Sequence, residues 1–195
     1  MSDINSKKIS VSKSVALAKC ALFTVLMVVS AFVSIPFPPV PLTFQTVVAV
    51  AAGLFLGPAY GTDAVAVYIF MGLIGLPVFS GGGGFAYVVQ PTFGYIVGFA
   101  AAAFVAGIFC KEKISWRRAV LAACAGVLAN YLIGVPYFLI IWKFYMHNGA
   151  VWQAAVLYNF LYFPKDIVLC VLASVLYWRV NKHVCMRARG IGRED

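Results

Sequence analysis

Two charged residues stand side by side where their surroundings give no reason for charge. Lys165 and Asp166 interrupt an apolar run from about Trp152 to Tyr177. A charge at membrane depth costs at least ~2.5–3.5 kcal/mol on insertion scales, so it ordinarily faces a site or a partner. Pro164, just before the pair, removes an amide donor and frees a carbonyl of the preceding turn. A broken helix beside a carboxylate is a common way to build a polar binding spot in a membrane. Adjacent helical residues point about 100° apart, which makes a direct Lys165–Asp166 pair awkward. Asp166 is therefore expected as a ligand contact, with Lys165 a candidate beside it. The competing account is that the two neutralise each other near the outer interface.

The other unusual polar features lie in two segments without charge, Ile35 to Thr43 and Phe79 to Gln90. The first holds prolines and the second glycines, both hold aromatic residues, and Gln45 and Gln90 stand at their edges. Such loops can fold over a site as a lid, or simply connect. The run Gly81 to Gly84 is not followed by a Walker lysine–serine, so a phosphate cradle is not expected. Asp63, next to Gly61-Thr62, reads as an ordinary helix cap. The two histidines, His147 and His183, belong to no Ser/His/Asp grouping or HExxH motif. The five cysteines show no CxxC spacing and read as packing residues. No enzyme activity and no metal are expected.

The elements that must position these residues follow from composition. Of 195 residues 63% are hydrophobic and 11% charged, against about half and a quarter in an average soluble domain. Lipid is the expected solvent. Six spans are predicted: about Val15 to Ile35, Phe44 to Leu56, Thr62 to Gly75, Pro91 to Cys110, Ala119 to Phe144, and Trp152 to Tyr177. Proline density in Ile35 to Pro41 forbids helix there. Pro136 is expected to kink the fifth span and Pro164 to interrupt the sixth. No cleavable signal peptide is expected, since the first apolar run is too long for one.

Positive charge orients the bundle. Lys7, Lys8, Lys13 and Lys19 precede or enter the first span, Lys111, Lys113, Arg117 and Arg118 separate the fourth and fifth, and Arg179, Lys182, Arg187, Arg189 and Arg193 follow the sixth. With six spans these segments share one side, which the positive-inside rule makes cytoplasmic. The net charge of +9 is thereby explained without nucleic acid. The predicted organisation is an all-α membrane protein: a cytoplasmic segment 1–14, a six-helix domain 15–180, and a basic cytoplasmic tail 181–195 touching anionic lipid.

Several segments are similar to a known family. VPLTFQT (Val40 to Thr46), LGPAYG (Leu56 to Gly61), GLIGLPVFSGG (Gly72 to Gly82), PTFGYIVGF (Pro91 to Phe99) and FPKD (Phe163 to Asp166) resemble the signature blocks of the BioY family, the biotin-binding S components of energy-coupling factor (ECF) transporters. The resemblance spans roughly residues 15–180. It implies a six-helix S-component fold in a bacterial cytoplasmic membrane. Biotin would bind near the outer face and be delivered with a membrane coupling subunit and two cytoplasmic ATPases. ATP would be used by those partners only, and this chain would need no cofactor.

By the same resemblance Asp166 accepts from the ureido N–H groups, with Lys165 substituting for a family lysine. Phe44, Phe79, Tyr87 and Tyr95 suit the thiophane ring and valeryl chain. Gln45, Ser80, Gly81 and Gly82 complete the expected contacts, and amides of Gly81 to Gly84 are candidates for the carboxylate. Ala16 and Cys20, at small-xxx-small spacing, are the nearest match to a coupling-subunit contact, with packing inside the chain the alternative. Three positions depart from the family pattern. Leu169 stands where lysine usually follows the aspartate, Gly83 where some members have asparagine, and Ile96 where some have arginine. These predict weaker affinity or a different carboxylate contact. A stand-alone facilitator, or an S component for another vitamin, would share the same fold.

Overall fold

The computed structural model describes residues 13–35, 41–109, 115–145 and 151–190. Lys7, Lys8, Lys111, Lys113, His147, Arg193 and Cys110, the prolines at 36, 38 and 39, and Val40 lie outside the described residues. Six α-helices are present among the described residues: α1 (Lys13–Phe32), α2 (Gln45–Leu56), α3 (Pro58–Leu73), α4 (Phe93–Phe109), α5 (Trp116–Phe144) and α6 (Val151–Gly190).

The segment between α1 and α2 folds back on itself. β1 (Ser34–Ile35) pairs antiparallel with β2 (Leu42–Thr43), placing Ser34 opposite Thr43. The segment between α3 and α4 is not wholly irregular: a short 3-10 helix occupies Phe85–Val89. Ahead of it the glycines form a tight turn. Phe79 and Gly82 exchange backbone hydrogen bonds, and Gly84 donates to the Gly72 carbonyl at 2.7 Å. Gly82 and Gly84 have φ of 118° and 99°, a region side-chain-bearing residues avoid.

Two expected boundaries move. α3 begins at Pro58, not Thr62, because proline suits a first helical turn. Asp63 therefore lies inside α3, and Gly57 (φ 82°) sits at its start with no side-chain cap. α6 is not interrupted at Pro164 but runs unbroken to Gly190, through much of the predicted tail. α5 starts on Ser115, whose hydroxyl accepts from the Arg118 amide at 3.4 Å.

Size is distributed inside out. The buried seams of α2, α4 and α5 consist largely of Ala49, Ala52, Ala102, Ala103, Ala106, Ala119, Ala122 and Ala123. Leu17, Phe32, Phe70, Leu132, Leu172 and Leu176 are each at least 60% exposed. Small residues let backbones approach where lipid supplies no hydrophobic drive, and a continuous apolar exterior is what hydrocarbon solvates. A Cβ on Gly53 would strike the Ala103 carbonyl, and one on Gly94 the Tyr137 side chain. Length separates the helices: α1 and α5 are long and apolar enough to cross a bilayer. α2, with 12 residues, is about 18 Å long, short of a ~30 Å hydrocarbon core.

Candidate functional site

The site is assembled where β2, α2, α4, α5 and α6 converge. There, Pro41, Leu42, Thr43, Gln45, Thr46, Ser80, Thr92, Tyr95, Ile96, Phe99, Asn130, Tyr131, Tyr162, Lys165 and Asp166 surround a cavity of about 550 Å³, its open side included. Segments 41–43 and Ser80 come from the α1–α2 and α3–α4 connections, so both loops reach the cavity.

Asp166 is its electrostatic centre. Only 4% exposed, it receives hydrogen bonds on Oδ2 from the hydroxyls of Tyr131 (2.9 Å) and Thr46 (3.2 Å). Oδ1 faces the Lys165 ammonium at 2.8 Å but accepts no well-aligned hydrogen bond. The two neighbours do pair, contrary to the expectation from helical angles. The long lysine stem folds back along the helix and carries its charge to the carboxylate. The same ammonium donates to the Thr43 carbonyl at 2.6 Å and lies 5.7 Å from the Phe44 ring centroid. One cation thus ties β2 to α6.

Aromatic and amide groups complete the walls. Tyr95 donates to Asn159 Oδ1 at 2.8 Å and meets Tyr131 edge-on at 5.8 Å. Its ring fills the space that a side chain on Gly134 would take. Tyr131 in turn packs edge-on against Phe163 at 5.2 Å. Gln45, 3% exposed, donates to the Tyr68 hydroxyl at 2.5 Å. Tyr137 donates to the Val88 carbonyl, joining α5 to the 3-10 helix between α3 and α4.

Of the residues expected from sequence, Asp166, Lys165, Gln45, Ser80 and Tyr95 line the cavity, and Phe44 touches it only through Lys165. Phe79, Gly81, Gly82 and Tyr87 do not line it. Phe79 is buried between Tyr68 (5.4 Å) and Tyr87 (4.8 Å), supporting the loop from behind. The amide of Gly82 is donated to Phe79 within the loop and that of Gly84 to Gly72 of α3, so these two are not free to hold a carboxylate. Ala16 is buried, and the half-buried Cys20 gives its thiol to the Tyr60 carbonyl of α3 at 3.3 Å. Ile96 lines the cavity and Gly83 does not. Thr46, Asn130 and Tyr131 also line the cavity; a polar atom inside an apolar run marks each in the sequence, but not the direction it faces.

The BioY family model matches residues 5–185. The chain belongs to the BioY family. It is 37% identical over 181 residues to the "Probable biotin transporter BioY" of Lysinibacillus sphaericus, covering 91% of this chain and 92% of that one. It is 36% identical over 167 residues to the "Biotin transporter BioY" of Thermotoga maritima, covering 85% and 95%. Among solved structures it is similar to the crystal structure of the S-component for biotin from an ECF-type ABC transporter. There the TM-score is 0.74 at 27% identity, over 87% of this chain and 92% of that one. The six-helix all-α architecture is thus that of an ECF S component, and the family is one of transporters, not enzymes.

Proposed function

We propose that this membrane protein captures biotin in the cavity around Asp166 and hands it inward as the S component of an ECF transporter. The observation that carries the reading is the carboxylate itself: a buried charge at the edge of an apolar cavity, held by two hydroxyls and neutralised by one lysine. Biotin's ureido ring supplies N–H donors that an ionised carboxylate accepts. Its thiophane ring and chain are apolar, as are Leu42, Ile96, Phe99 and the rings of Tyr95 and Tyr162. The names of the relatives and of the matched S component support the same ligand.

Residues 15–180 form the membrane domain in this reading, with both termini cytoplasmic because thirteen of fifteen lysines and arginines lie in segments that would share that side. The cavity then opens outward. ATP is hydrolysed by partner subunits, since this chain carries no Walker lysine–serine. Equilibrium binding of labelled biotin to the purified chain in detergent tests the reading, with Asp166→Asn beside the wild type. Tight wild-type binding that the variant loses is expected. Tight binding by both removes Asp166 from the site, and a folded wild type that does not bind removes biotin.

A further inference from the structure

Asn130 lies midway along α5, with its side chain on the cavity wall and 1% of the residue exposed. Its Oδ1 is buried without a hydrogen-bond partner, the costliest state for an amide oxygen. Across from it α4 presents Gly98, and the place a Cβ would take there is occupied by the Asn130 amide. A leucine would fill the same volume with no polar atom left unmatched. Phe99 of α4 lines the same cavity, and Leu42 and Ser80 reach it from the two loops.

We propose that the Asn130 amide is a ligand contact in the wall of this cavity, pairing with the carbonyl-and-N–H edge of the bound ureido ring. The inference rests on the biotin reading above. A primary amide carries an acceptor oxygen and a donor nitrogen on one fork, so it meets an edge holding C=O beside N–H with two complementary bonds. An ionised carboxylate only accepts, and Asp166 therefore suits the remaining N–H. The two residues divide a cyclic urea between them. A solute of equal shape without that edge is rejected because it leaves the buried amide unpaired.

The test uses the whole chain in detergent and two measurements, the biotin dissociation constant and the melting temperature without ligand. Asn130→Leu keeps the branched shape and deletes both polar atoms. The dissociation constant should rise about 5- to 150-fold, the range for a buried partner left unsatisfied, while the ligand-free melting temperature equals or exceeds that of the wild type. Asn130→Ala, which cannot overpack, should lose affinity to a similar degree. Unchanged affinity in both variants overturns the proposal. Weaker binding accompanied by a lower ligand-free melting temperature in Asn130→Leu also overturns it, because the amide would then be holding the fold. Failure of the wild type itself to bind biotin is a different result, and it ends the biotin reading and this inference together.

Discussion

Replacing Lys165 with methionine would keep the stem and remove the one cation beside Asp166. The carboxylate is 5% exposed and its Oδ1 lies 2.8 Å from the ammonium. At an effective dielectric of about 20, that separation corresponds to roughly 6 kcal/mol of attraction, before the desolvation of both charges is subtracted. Stripping one partner from a buried pair typically costs about 3–5 kcal/mol. The lower end applies here, because Lys165 is 20% exposed and Thr46 and Tyr131 still donate to Oδ2. A loss of about 3 kcal/mol corresponds to roughly 6–12 °C in melting temperature for a chain of this size. Asp166→Asn should cost less, about 1–2 kcal/mol, since the ammonium keeps the Thr43 carbonyl and partial contact with water. The double variant leaves no charge unpaired. It should be more stable than Lys165→Met alone, with a coupling of about 2–3 kcal/mol. Thermal unfolding of the four ligand-free proteins in one detergent measures the cycle. Losses that simply add in the double variant would refute the reasoning, because the two groups would then be independent.

Two further outcomes follow from single contacts. Tyr131→Phe removes the shorter hydrogen bond to Asp166 Oδ2 and should lower ligand-free stability by about 1.5–3 kcal/mol, the worth of a hydrogen bond to a charged group; thermal unfolding should show a larger loss than for Thr46→Val, whose bond is longer. Gly53→Ala places a Cβ on the Ala103 carbonyl and should cost at least about 1–3 kcal/mol of stability by overpacking, visible as a lower melting temperature, whereas Gly81→Ala, facing only the edge of Tyr87 at 3.3 Å, should be tolerated.

Much of the architecture is legible because prolines and glycines punctuate the apolar runs. Gly57-Pro58 ends α2 as expected, and Phe144 closes α5. Pro164 misleads. One proline removes a single ladder bond and helix packing can re-satisfy the freed backbone, here with Cys170 and Ser174 fully buried further along the same helix. Asp63 misleads for the opposite reason, since Gly57-Pro58 starts the helix without a side-chain cap.

In the site, Asp166 and Lys165 announce themselves by charge. Gln45, Ser80 and Tyr95 follow from the family blocks, although the same blocks also point to Phe79, which with Tyr87 backs the loop. Asn130 and Tyr131 are illegible for a physical reason. α5 is apolar nearly all round, so no periodicity tells which face turns inward. That face is chosen by close contacts with α4, where Gly98 meets Asn130 and Gly134 meets Tyr95, and such contacts exist only after folding.

The inside-out distribution of side-chain size also changes what a conservative substitution means for this protein. Trimming Leu132 or Leu172 to alanine removes bulk from a surface that is 75% or 60% exposed, where lipid can close over the gap. Enlarging Ala102 or Ala123, both fully buried, forces two helices apart and with them the walls that carry Asp166 and Tyr131. Sequence drift is therefore cheap among the largest side chains and restricted among the smallest. The bundle's shape is recorded in its alanines and glycines.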